Sequence, residues 1–106
     1  MKEGKSFGHF PFKIIWREVA YCDETAQVLI SVPKRIFKRA VDRNKVKRRI
    51  REGYRKNKTI LADEQKTKTL QIAFIYTAKN ILKGNEVEEK VISALKVLIE
   101  KRNPAK

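Results

Sequence analysis

Hydrophobic residues recur along this chain with two periods, and the switch between them marks its elements. In FPFKIIW, residues 10–16, Phe10, Phe12, Ile14 and Trp16 alternate with Pro11, Lys13 and Ile15, the period of a strand with one strongly aromatic face. A second strand is predicted over residues 27–32 (QVLISV), and Pro33 should end it because proline has no N–H for a ladder. Residues 18–25, with Asp23 and Glu24 at the tip, read as the hairpin connection between the two. Residues 70–76 (LQIAFIY) predict a third strand with Leu70, Ile72, Phe74 and Tyr76 on one face. Three strands of this kind make a sheet with one side that must be covered.

Two runs of helical spacing supply the cover. Val87, Val91, Ala94, Leu95, Leu98 and Ile99 repeat with that period to about Lys101, and Asn85 followed three residues later by Glu88 is a capping pattern. Earlier, Val46, Ile50, Gly53 and Tyr54 fall on one stripe of a helix predicted over residues 43–57. Asp42 is its expected N-cap, and Val41 should pack on Val46 as a hydrophobic staple. Gly53 weakens that helix by roughly 1 kcal/mol relative to alanine. Residues 59–68 read as a polar connection, and residues 78–82 as a short helical turn ahead of Gly84. With 106 residues the chain has room for one modest core, so residues 1–106 form a single α+β domain in this reading.

Charge changes the picture of the first helix. The net charge is +14, and thirteen Lys or Arg against two acids lie between Lys34 and Lys58, so the excess is local. The face opposite the apolar stripe holds Asn44, Arg48, Arg51 and Arg55, flanked by Lys45 and Lys47. Lys47, Arg51 and Arg55 follow one another at i,i+4, where like charges repel. A merely solvated face normally mixes signs, so a polyanion is expected to neutralise this one. Arginine forks grip two phosphate oxygens at once, lysines act as point charges, and Asn44 adds a directional hydrogen bond near the helix N-terminus.

Charge alone does not choose between a DNA groove and RNA. An aromatic strand face beside cations suits single-stranded nucleic acid, because bases stack on rings at roughly 1–3 kcal/mol each. Phe12 and Trp16 are the candidate rings, and ordinary core packing is the competing reading. No apolar run approaches the ~20 residues of a membrane span, and Lys2, Glu3 and Lys5 leave no apolar core for a signal peptide. No membrane partner and a cytoplasmic location are therefore expected. The lone Cys22 and the lone His9 give no metal cluster or Cys-His pair at recognisable spacing, and no paired carboxylates form a local motif.

The run SVPKRIFKRAVDRNKVKRRIRE, residues 31–52, resembles the signature of the bacterial ribonuclease P protein subunit: a strand ending in Ser-Val-x-Lys, then a Lys-Ala-Val-x-Arg-Asn-Arg helix rich in further cations. GKSF at residues 4–7 and the aromatic strand after it also fit, so the likeness covers nearly the whole chain. It implies a two-layer α/β sandwich in which the basic helix lies in a left-handed β-α-β crossover, an exception to the usual hand, with a C-terminal packing helix. It also implies a role as an accessory subunit of an endonuclease that matures the 5′ end of tRNA. The catalytic RNA subunit would hold the active site and its Mg²⁺, and metal-contacting residues of this chain are not assigned.

On this sequence the RNA-binding motif maps to Arg43, Asn44 and Lys45, continuing through Lys47, Arg48, Arg49, Arg51 and Arg55. The 5′ leader of precursor tRNA would contact Phe7, Phe12, Trp16, Ser31, Lys34 and Arg35, in a cleft between sheet and helix. Lys45 stands where the family pattern has arginine, which keeps the charge and gives up the bidentate fork. The family also begins with a helix before the GKSF segment, for which this sequence has only a few residues: either the sequence is truncated there or one wall of the cleft is missing, and in the second case the open sheet face would favour self-association. Two rival readings are a ribosomal or RNA-assembly binding protein without cleavage activity, and a DNA-binding helix protein.

Overall fold

The structure, a computed structural model, describes residues 5–20, 26–61 and 68–102. Four strands, β1 (Lys5–His9), β2 (Phe12–Ala20), β3 (Ala26–Ser31) and β4 (Lys68–Tyr76), form one sheet in the order β1-β2-β4-β3. Helix α1 (Ala40–Asn57) connects β3 to β4, and α2 (Gly84–Arg102) follows β4. β1 and β2 pair antiparallel, as do β2 and β4, whereas β3 runs parallel to β4. A parallel pair needs a crossover connection, and α1 is that crossover.

The registers sort the sheet into two faces. Phe12, Ile14 and Trp16 of β2 stand opposite Tyr76, Phe74 and Ile72 of β4, and all six are buried. Val46 and Ile50 of α1 and Val87, Val91, Ala94, Leu95 and Leu98 of α2 join them in one core. Edge-to-face pairs lock the aromatic part: Phe12 meets Phe74 at 5.5 Å and Tyr76 at 6.3 Å between centroids, and Tyr54 of α1 reaches Phe74 at 6.4 Å. Both helices therefore cover the same sheet face. Gly53 lets them approach closely, since a Cβ there would lie 3.2 Å from the Glu88 Cα.

Several local expectations shift. Helix α1 starts at Ala40, so Asp42 lies inside its first turn and Arg39 is the N-cap, with no side-chain capping bond. The amides of Asp42 and Arg43 both donate to the Arg39 carbonyl at 3.2 Å, which removes the need for the aspartate cap, while the acid still favours the helix's positive end. Val41 is 59% exposed, so the staple to Val46 does not form. Phe10 leaves the strand pattern for the β1–β2 turn and is 65% exposed. The strand β2 continues through residues 17–20, paired with 68–71, where a turn was expected to begin, and β4 lies between β2 and β3, so these two strands do not form the expected hairpin; its expected tip at Asp23 and Glu24 lies outside the described residues. β1 escapes the sequence pattern because an edge strand with Phe7 as its one large apolar side chain carries no alternation. Residues 78–82 form no helical turn.

Candidate nucleic-acid interface

Val46, Ile50 and Gly53 are buried and Tyr54 is half-buried, so the apolar stripe fixes the rotation of α1 on the sheet. The rotation leaves Asn44, Lys45, Arg48, Arg51 and Arg55 exposed, with Lys47 half-buried beside them. Arg55 is also hydrogen-bonded and ion-paired to Glu52 one turn back. That hydrogen bond, with the nearby charges of Arg55 and Lys56, holds the Glu52 carboxyl below its usual range, and the same contact raises Arg55. Arg55 thus brings its own counterion to the face, whereas Arg48 and Arg51 show no such pairing among the described residues.

Arg43 and Arg49 turn inward and are half-buried. Arg43 Nη1 donates to the carbonyls of Phe37 and Lys38, both at 2.8 Å. Arg49 Nη1 donates to the carbonyl of Leu82 in the segment before α2. Between α1 and the start of α2 lies a groove of about 580 Å³ whose lining includes Lys45, Arg48, Arg49, Lys56, Asn85 and Glu88. Asn57 ties the two helices together, donating to Gly53 O at 2.8 Å and to Glu88 Oε2 at 3.1 Å. The groove is open and predominantly cationic.

The residues expected at the leader split between the two sheet faces. Phe12 and Trp16 are 2% and 4% exposed on the helix-covered face, which is the core-packing outcome for both rings. Phe7 pairs with Ile14 on that face, half-buried, with Lys101 Nζ 5.5 Å above its ring. Ser31 pairs with Ile75 on the opposite face, and Lys34 and Arg35 are exposed in the turn just beyond it.

That opposite face carries polar groups the sequence did not single out. Arg17 Nε donates to Gln71 Oε1 at 2.7 Å, and Gln71 Nε2 donates to Gln27 Oε1 at 2.9 Å, a ladder across β2, β4 and β3. Leu29, 66% exposed, stands beside Ala73 in the next row. A shallow groove of about 260 Å³ runs between Gln27, Leu29, Gln71 and Ala73. Alternation carried on from Lys13 and Ile15 to Arg17 would have placed the arginine on this face; its partner Gln71, 54 residues away, leaves no local mark.

Fold and surface together define a small two-layer α+β protein with a predominantly cationic helix face. A family model described as Ribonuclease P matches residues 1–101. The chain belongs to the ribonuclease P family, as a protein component of that endoribonuclease. The ribonuclease P protein component of Porphyromonas gingivalis is 36% identical over 100 residues, 88% of this chain and 70% of that protein. The RNase P protein of Thermotoga maritima superposes with a TM-score of 0.72 at 29% identity, covering 91% of this chain and 84% of that one. The Staphylococcus aureus RNase P protein shares the fold, with a TM-score of 0.66 at 24% identity over 92% of this chain and 83% of that one.

Proposed function

We propose that this protein binds the catalytic RNA of ribonuclease P through the exposed face of α1 and receives the 5′ leader of precursor tRNA on the open face of its sheet. The observation that carries the first contact is the predominantly cationic surface, with Asn44, Lys45, Arg48 and Arg51 exposed on a helix whose rotation is fixed by Val46, Ile50 and Gly53. Each phosphate neutralised releases counterions, so the binding is steeply salt-dependent.

The leader reading rests on what remains accessible. Helices cover one sheet face, and the other offers the guanidinium and amides of Arg17, Gln71 and Gln27 beside the apolar Leu29. Single-stranded RNA is held by such mixed surfaces, with hydrogen bonds to base edges and apolar or planar groups against base faces. Lys34 and Arg35, just past Ser31, extend the surface with cations. In this reading Phe12 and Trp16 support the face from behind and do not touch RNA.

The active site and its Mg²⁺ are assigned to the RNA subunit, where the ion would supply charge neutralisation at the scissile phosphate. Among the described residues there is no group of three or more His, Cys, Asp or Glu that could hold a metal; the role proposed for the side chains here is positioning. No described helix is long and apolar enough to cross a membrane; the proposed place of action is the cytoplasm. The test is reconstitution with the RNA subunit at low Mg²⁺, read as cleavage of precursor tRNA. Stimulated cleavage at the mature 5′ end is expected; RNA binding without stimulation would instead favour a ribosomal or assembly role.

A further inference from the structure

Two of the cations that the family pattern assigns to RNA contact are occupied within the chain. Arg43 Nη1 is shared between two backbone carbonyls, Phe37 and Lys38. These belong to a short turn in which the Ile36 and Phe37 amides return to the Pro33 carbonyl at 3.1 and 3.3 Å. The turn presents Lys34 and Arg35 to solvent and anchors itself by Phe37, 8% exposed, whose ring lies 6.0 Å from Tyr76.

Tyr76 carries the connection onward. Its hydroxyl donates to the Asn80 carbonyl at 2.6 Å and accepts from the Leu82 amide at 3.3 Å. The Leu82 carbonyl in turn accepts from Arg49. A circuit therefore runs from Arg43 through Phe37, Tyr76 and Leu82 back to Arg49, and both of its ends are on α1. Backbone carbonyls in irregular segments need donors, and each arginine meets that need from Nη1, held in a planar group and one bond further from the backbone than a lysine Nζ.

We infer that Arg43 and Arg49 are positioning residues: they clamp the segments 33–38 and 77–83 to α1, so that Lys34 and Arg35 are held at a fixed offset from the phosphate-facing Arg48 and Arg51. The consequence for recognition rests on the proposed leader contact, whereas the clamp itself does not. With the turn fixed, leader and catalytic RNA meet one rigid surface; with it loose, the two sets of cations no longer share a register.

The experiment has two arms. In the free protein, amide hydrogen exchange is followed in Arg43→Lys and Arg49→Lys, which keep the net charge. Exchange at Ile36 and Phe37 should accelerate at least about tenfold in Arg43→Lys, and at Leu82 in Arg49→Lys, the scale of one lost hydrogen bond to a charged group, with the β4 core amides unchanged. Unchanged exchange in both variants would overturn the clamp. The second arm uses the reconstituted ribonucleoprotein and precursor and mature tRNA over a salt series. Arg43→Ala should keep the salt slope for RNA-subunit binding and lose about tenfold in preference for precursor over mature tRNA. A slope shallower by about one unit with the preference kept would make Arg43 an ordinary phosphate contact and overturn the inference. If the wild-type protein shows no precursor preference at all, the leader reading fails, and the exchange arm still decides whether the clamp exists.

Discussion

At the scale of single residues, Trp16 combines two opposed effects. Its ring is 4% exposed, yet among the described residues its Nε1–H finds no acceptor, while Lys5 Nζ sits 5.5 Å from the ring centroid. A buried donor left unpaired costs about 1–3 kcal/mol, comparable with the apolar area that the larger ring adds over phenylalanine. Trp16→Phe should therefore change stability by less than about 1 kcal/mol in urea unfolding. Phe12, packed edge-to-face on Phe74 and Tyr76, has no such offset: Phe12→Ala should cost about 3–5 kcal/mol. Near a folded midpoint it should weaken binding of precursor and mature tRNA alike, because it acts through the core. That equal loss separates a core ring from a base-stacking one. Alternation told the sequence reader which side of the strand the rings share; only the sheet's neighbours decide whether that side faces helices or RNA.

At the scale of elements, α1 was legible where burial sets the pattern and less so where chain ends meet. Val46, Ile50, Gly53 and Tyr54 carry a helical period, so the docking face and the exposed Arg48 and Arg51 followed from spacing alone. The helix start did not, because Asp42 has the chemistry of a cap wherever it stands, and the Arg39 carbonyl took up the amides first. The inward turn of Arg43 and Arg49 was equally hidden, since their acceptors are backbone carbonyls that no side-chain pattern records. Arg48→Ala and Arg51→Ala should each weaken RNA-subunit binding and reduce the slope of log affinity against log salt by about one unit. Slopes identical to wild type would mean that these side chains meet no phosphate. Gly53→Ala tests the other face. Alanine gains about 1 kcal/mol in helix propensity, but its Cβ would press on the Glu88 backbone at 3.2 Å, which cannot rotate away. Overpacking of about 1–3 kcal/mol should win, giving a net loss of up to about 2 kcal/mol in thermal or urea unfolding.

At the scale of the whole molecule, Tyr76 is where sheet, α1 and the approach to α2 are tied together. Its ring ends β4 in the core against Phe12 and Phe37, and its hydroxyl holds the segment leading to α2. The sequence reading placed Tyr76 on the core face but had no means of seeing the hydroxyl's partners, four and six residues on in a segment expected to be helical. Burial pushes the Tyr76 phenol above its ordinary value, partly offset by the Leu82 amide and the charge of Arg49. A phenol whose folded pKa is raised favours the folded state fully below the unfolded value near 10, and that contribution is lost as pH rises through the folded pKa. In that window the unfolded chain releases the proton first, so stability falls by at most about 1.4 kcal/mol per pH unit from this group. At pH 7, Tyr76→Phe should cost about 1–3 kcal/mol through the Asn80 carbonyl and Leu82 amide left without their partner. Above pH 10 the gap between wild type and Tyr76→Phe should narrow, because only the wild type loses the tyrosine contribution, and every other titrating group is common to both. Urea unfolding of the two proteins at pH 7, 9, 10 and 11 measures it. A gap that stays constant to pH 11 would mean that Tyr76 ionises as freely in the fold as outside it, and that burial does not hold its proton.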